Sequence, residues 1–217
     1  MPLYKSLAIN ADTQLHVWKI TESPEELTAN VCLKDVCQLR VSNMKSEQHR
    51  KGFLSVRMLM QHAGYTDFDL YYDSDGKPHL KDGNNISITH SYGFSAIIIS
   101  SGNVGIDMEL RREKVIKIAD KFLDREFKYL NRNAANYVNM LIVLWGIKEA
   151  VYKMLSENGL SFKDHIYVNE FTMTDPEITA NVNFEGRHTS CNCYFEEIED
   201  FTLVYSLGNS KNTPGNE

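Results

Sequence analysis

Apolar side chains recur along this chain with two different periods, and the changes between them lay out its elements. Residues 3–9 and 15–20 alternate in the manner of strands. Ser23-Pro24-Glu25-Glu26 reads as a helix start, with Ser23 as cap and Glu26 at the third position. Over residues 46–62 the spacing becomes that of an amphipathic helix, with Phe53, Leu54, Val56, Leu59 and Met60 on its apolar side. Residues 68–72, the turn signal Asp75-Gly76-Lys77-Pro78 and apolar strands through Ser100 complete a first half. Ser101-Gly102-Asn103 is a further turn signal near the middle of the chain.

Beyond it the order is strand, helices, strands. Gly105 to Leu110 alternates, with Ile106, Met108 and Leu110 on one side and Asp107 and Glu109 on the other. Residues 115–122 read as helical, and Asp124 reads as the cap of a short helix to Leu130. Residues 139–155 form a long helix with a broad apolar stripe (Met140, Ile142, Val143, Leu144, Ile147, Val151, Leu155), and Gly159 supplies a stop. Residues 166–171, 177–182, 190–195 and 201–207 read as strands. Both halves end in an apolar strand, 94–100 and 201–207, a rhyme that suggests duplication. The tail, 208–217, holds Gly, Ser, Asn and Pro with no apolar anchor, so disorder is expected there.

Composition narrows the class. A chain of 217 residues holds one large domain or two small ones. Its longest apolar run, Met140 to Trp145, falls far short of the ~20 residues that span a bilayer. No basic segment followed by an apolar core opens the chain, so a cytoplasmic protein is expected. The four cysteines lack metal-ligand spacing and read as free thiols, Cys191 and Cys193 on one face of a strand. A net charge of −6 argues against a general nucleic-acid binder. The charge is uneven, however: residues 111–132 carry eight basic and four acidic side chains, a local +4. Arg111, Arg112, Lys114, Lys117 and Lys121 there read either as a solvated helix face or as a dock for an acidic partner.

Three segments carry candidate chemistry. Asp107 and Glu109, two apart on a strand, bring their carboxylates close enough to share a divalent cation, or else make an acidic outer face. Without a cation two such charges repel by about 4 kcal/mol at 4 Å and an effective dielectric of 20. Trp145, Glu149 and Lys153 are spaced i, i+4, i+8 and share a helix face, with Lys148 one position round from Glu149. A surface ion pair between Glu149 and Lys153 and a core Trp145 is the simpler account of that segment taken alone. The third segment joins the Gly76-Lys77-Pro78 turn to Ile86-Ser87-Ile88-Thr89-His90-Ser91, whose histidine on its own reads as structural.

A G-K-P turn, a strand ending T-H-S where the family has N-x-S-H-S (with Asn85 one residue early), then G-I-D-x-E, then W-x-x-K-E-x-x-x-K, in that order over residues 76–153, resembles the 4'-phosphopantetheinyl transferases of the larger, surfactin-synthetase-activating type. Thr89 stands where serine is usual and keeps the hydroxyl. The resemblance implies an α+β fold of two similar halves related by a pseudo-two-fold, each a small antiparallel sheet packed on helices, with the boundary near Asn103. The first half, 1–103, would supply nucleotide contacts, and the second, 104–207, the metal and catalytic residues.

It also implies an activity: Mg²⁺-dependent transfer of the phosphopantetheine arm of coenzyme A to a serine of an apo acyl or peptidyl carrier protein, releasing adenosine 3',5'-bisphosphate. Asp107, Glu109 and Glu149 would hold Mg²⁺, with Mn²⁺ as the other candidate. Glu149 would act as general base, and Lys153 would stabilise the leaving bisphosphate. Lys77, Thr89, His90 and Lys148 would contact the nucleotide and its phosphates. Lys51, or Arg50 beside it, would grip the 3'-phosphate, while the basic patch usual upstream is reduced to Lys34 and Arg40, interrupted by Asp35 and Gln38. A monomer is expected, with the acidic carrier docking near residues 111–121. The competing reading is a non-catalytic coenzyme A or nucleotide-binding module of the same fold.

Overall fold

The computed structural model describes residues 2–208, so the expected tail lies outside the described residues except for Gly208. Eleven strands form two antiparallel sheets among these residues. The first has the order β1-β2-β6-β5-β4-β3, built from Leu3–Asn10, Thr13–Lys19, Phe94–Ser100, Asn85–Ser91, Pro78–Leu80 and Leu70–Tyr72. The second has the order β7-β11-β10-β9-β8, from Val104–Leu110, Phe201–Gly208, Arg187–Ile198, Ile178–Phe184 and Ile166–Val168. Each carries one long helix, α3 (Glu47–His62) on the first and α5 (Tyr137–Leu155) on the second. The two-halved α+β architecture expected from the sequence is therefore present.

The halves meet sheet to sheet. Leu15, Val17, Phe94, Ala96 and Ile98 of the first pack against Val104, Ile106, Met108 and Leu203 of the second. This assigns both sides of the β7 alternation: its apolar residues fill the seam, and Asp107 and Glu109 turn toward α5. Two glycines let α5 lie close on that face. A β-carbon at Gly105 would stand 1.8 Å from the Ala150 carbonyl oxygen, and one at Gly146 would stand 2.6 Å from Val204 Cγ2.

The first turn of α1 (Pro24–Ala29) has the expected reciprocal cap: the Glu26 amide donates to Ser23 Oγ at 3.1 Å, and the Ser23 amide donates to Glu26 Oε2 at 2.8 Å. Ser46 caps α3 with a single bond, accepting from the His49 amide at 3.3 Å. Three segments differ from the sequence reading. Residues 35–43 fold as a helix, α2 (Asp35–Asn43), that periodicity does not reveal, because only Cys37 of it is buried. The helix expected over 115–122 is a 3-10 stretch, Glu113–Ile118, followed by a single α-turn, α4 (Ala119–Phe122). Asp124 caps nothing with its side chain; Arg125–Lys128 is another 3-10 turn, wound tightly because Glu126 is drawn into the interior.

Candidate active site

β7 and α5 supply the acidic residues. Asp107 is buried, and its Oδ1 accepts from Lys153 Nζ at 2.7 Å and from Thr89 Oγ1 at 3.3 Å. Glu109 Oε1 accepts from the indole N–H of Trp145 at 3.2 Å. That indole is fixed by Phe122 and Phe162, whose ring centres lie 5.0 and 5.6 Å away. Trp145 is thus more than core: it orients an acid. Glu149, one turn further along α5, lies beside the same pair.

The electrostatics record this crowding. Burial, then the Asp107 charge, pushes the Glu109 carboxyl up to about 7, with Glu149 adding to the effect. Burial and Asp107 likewise raise Glu149, against the opposing pull of Lys153. Glu109 and Glu149 are thus both discouraged from ionising by burial and by the Asp107 charge. Among the described residues, however, no three acidic, histidine or cysteine side chains form a ready metal cage. The sequence expectation of three oxygens already converged is not met in that closed form. Lys153 takes up one Asp107 oxygen, Oδ1. The other, Oδ2, is buried with no hydrogen-bond partner. An orphaned carboxylate oxygen beside two acids that resist ionisation fits a divalent cation, which takes one or two protein carboxylates and leaves its remaining positions to water and phosphate.

Lys153 also forms part of the wall of a cavity of about 610 Å³ between the halves. From the first half come Arg40, Arg57, Tyr72, the Gly76-Lys77-Pro78 turn, Ile88 and His90; from the second come Tyr152, Lys153 and Ser156. Lys77 reaches across the junction and donates to the Met154 carbonyl at 3.0 Å, and burial lowers its pKa. His90 is backed by Gly52 of α3, where a β-carbon would come within 2.9 Å of the ring. Partial withdrawal from water, then His49 and Lys153, hold His90 below its ordinary value, favouring the neutral ring.

Three residues expected at the ligand are placed elsewhere. Lys148 does not reach the cavity: it is fully buried, 2.8 Å from Glu126 Oε1, and donates to the carbonyls of Phe162 at 2.9 Å and Ile166 at 2.6 Å. Neighbours on a helix point about 100° apart, so with Glu149 over β7 its predecessor turns into the core of the second half. Thr89 is absent from the cavity wall: its hydroxyl faces β7 and donates to Asp107, whereas Ser87 on the same side of β5 does line the cavity. The Thr89 hydroxyl steadies Asp107. Lys51 pairs with Glu47 one turn back at 3.1 Å and is absent from the cavity wall.

The sequence reading missed how Arg40 reaches that wall. α2, which carries it, is anchored by Asp67: its carboxylate accepts from Arg57 Nε at 3.0 Å, from the Lys34 amide at 3.2 Å and from the Cys37 thiol at 3.5 Å. The signal was the Lys34–Arg40 spacing, whose meaning depended on a buried acid about thirty residues away.

Comparison with known proteins finds these similarities. The family model of the 4'-phosphopantetheinyl transferase superfamily matches residues 103–206. The 4'-phosphopantetheinyl transferase gsp of Aneurinibacillus migulanus is 29% identical over 151 residues, 59% of this chain and 60% of its own length. The chain thus spans about 60% of the curated relative that it matches. The holo-[acyl-carrier-protein] synthase of Thermotoga maritima superposes with a TM-score of 0.42 at 19% identity, over 50% of this chain and 64% of that one, too distant a likeness to carry weight. The matched span contains β7, α5, the three acids and Lys153, and over it the chain is similar to the 4'-phosphopantetheinyl transferase superfamily.

Proposed function

We propose that this protein transfers the 4'-phosphopantetheine arm of coenzyme A to a serine hydroxyl of an apo carrier protein, releasing adenosine 3',5'-bisphosphate. One observation supports the reading: Lys153, which lines a cavity shared by both halves, pairs with Asp107 at 2.7 Å, and the Asp107 charge acts on both Glu109 and Glu149. Asp107, Glu109 and Glu149 would hold Mg²⁺ or Mn²⁺, which when bound neutralises pyrophosphate charge. In the reaction the serine oxygen bonds to the phosphorus that carries the pantetheine arm, and the bond from that phosphorus to the bisphosphate oxygen breaks. Glu149 takes the serine proton, for which its raised pKa makes it a better base than an ordinary carboxylate. Lys153, held by Asp107 and the Ile106 carbonyl, presents a fixed positive charge where the leaving bisphosphate gathers negative charge. Lys77, His90 and Arg40 line the space for the nucleotide, and the 3'-phosphate falls to Arg40 rather than Lys51.

The test is to incubate the protein with coenzyme A, Mg²⁺ and a purified apo carrier and to weigh the carrier by mass spectrometry. Gain of one phosphopantetheine arm is expected. A carrier of unchanged mass alongside measurable coenzyme A binding would leave only a binding module.

The basic segment after β7 remains the proposed carrier dock, with a different set of cations. Arg111 is committed: it donates to the carbonyls of Phe201 and Glu199. Lys114 and Lys117 are exposed on either side of Ile116, itself 44% exposed. Reversing Lys114 and Lys117 to glutamate should raise KM for the carrier about ten-fold or more, while KM for coenzyme A stays put, since rim charges govern encounter with an acidic partner. Equal changes in both constants would count against a dock.

Withholding the cation should also leave a mark on stability. Glu109 titrates near 7 in the folded protein against an ordinary 4.5. Between those values the folded state keeps a proton that the unfolded chain has lost, so stability falls as pH rises. A cation replaces that proton. The Mg²⁺-induced rise in melting temperature, with coenzyme A present and no carrier, should therefore be larger at about pH 8 than at about pH 5.5. Calorimetric scans at the two pH values check it.

A further inference from the structure

Two buried polar atoms on the α5-facing side of the second sheet lack partners: Asp107 Oδ2 on β7 and Thr202 Oγ1 on β11. Thr202 is 1% exposed and stands opposite Glu109 in the β7–β11 register, as Val204 stands opposite Asp107. Opposite residues of an antiparallel pair share a face. This face is the one beneath α5, because Val204 is what a side chain at Gly146 would strike. Thr202 therefore belongs with the acids, while its neighbours Phe201 and Leu203 fill the apolar seam between the sheets. A threonine serving only as filler would leave a hydroxyl unbonded where valine, as at 204, fits without that cost. Buried hydroxyls in native proteins find an acceptor, and the acceptor at hand is the carboxylate across the ladder.

We propose that Thr202 is a positioning residue for the acidic centre: in the cation-loaded state its hydroxyl donates to the Glu109 carboxylate, as a second donor beside Trp145. Opposed side chains in such a pair have β-carbons about 4.5–5.5 Å apart, a gap that a turned threonine hydroxyl and a glutamate carboxylate close between them. Trp145 already holds Oε1 at 3.2 Å. With both donors engaged, the carboxylate has one orientation to offer an ion. The inference rests on the metal reading above and concerns one residue of it.

Mn²⁺ is the probe, its binding followed by loss of the free-ion electron paramagnetic resonance signal. The full-length protein is saturated with coenzyme A, and no carrier is present, so nothing turns over. Thr202→Val should raise the Mn²⁺ Kd about ten-fold or more, the usual effect of removing a partner of a metal-ligating side chain. Thr202→Ser should bind close to wild type. The metal-free melting temperature of Thr202→Val should equal or exceed that of wild type, since the change deletes an unbonded hydroxyl and keeps the shape. Unchanged Mn²⁺ affinity in Thr202→Val overturns the inference alone, as does a joint fall in affinity and metal-free melting temperature. Wild-type protein that takes up no Mn²⁺ overturns the metal reading and the inference with it.

Discussion

Glu149→Gln should cut transfer of the arm by about 10²–10⁴-fold, the range a positioned general base contributes, while the fold survives intact. The two effects separate because, in the proposed mechanism, the charge at Glu149 serves chemistry at the expense of stability. Burial and the Asp107 charge raise its pKa, so at neutral pH the ionised side chain is held against resistance. Glutamine keeps the shape and removes the repulsion, and the metal-free melting temperature should hold or rise. Its amide can neither accept the serine proton nor complete the carboxylate set. Steady-state rates with apo carrier, paired with thermal scans, read both effects. A variant with near-normal kcat would remove Glu149 from either role.

Gly105→Ala should be nearly as damaging, for a purely steric reason. The added carbon would lie 1.8 Å from the Ala150 carbonyl oxygen and 2.9 Å from Ser206 Oγ. The first obstacle is backbone, so it cannot swing aside. α5 must lift from β7 in the turn that holds Glu149 and Lys153. Overpacking of this kind costs about 1–3 kcal/mol or more, and a displacement of about 1 Å at a catalytic group lowers rates about 10²-fold. Gly102→Ala is the control, since the nearest atom there is Ser100 Oγ at 3.8 Å. Denaturant unfolding and initial rates should set the two variants far apart; similar values would mean that close approach of α5 is not what assembles the acids.

That steric reading marks what could be read from the chain and what could not. Alternation in β7 put Asp107 and Glu109 on one side of a strand, and helical spacing put Trp145, Glu149 and Lys153 on one face of α5, because periods of two and 3.6 fix direction locally; that the two surfaces meet was implied by the resemblance alone. The resemblance put Lys148 at the ligand, and the structure does not bring it to the cavity. Its position one step from Glu149 was visible, but its partner Glu126 lies in a 3-10 turn that no periodicity reports. Thr89 was placed differently for a related reason: whether its hydroxyl meets the cavity or Asp107 depends on how the two sheets pack, a long-range outcome. α2 stayed hidden because its anchor is a buried ionic cluster around Asp67 rather than an apolar stripe. Long amphipathic elements were legible, and polar residues whose partners are distant in sequence were not.

The most direct test is a crystal grown with coenzyme A and Mn²⁺, its anomalous difference map phased on the protein. The account predicts a single strong peak among the carboxylates of Asp107, Glu109 and Glu149, in contact with the cofactor's pyrophosphate and with Lys153 alongside. Pyrophosphate bound in the cavity with no peak among those three side chains would contradict it.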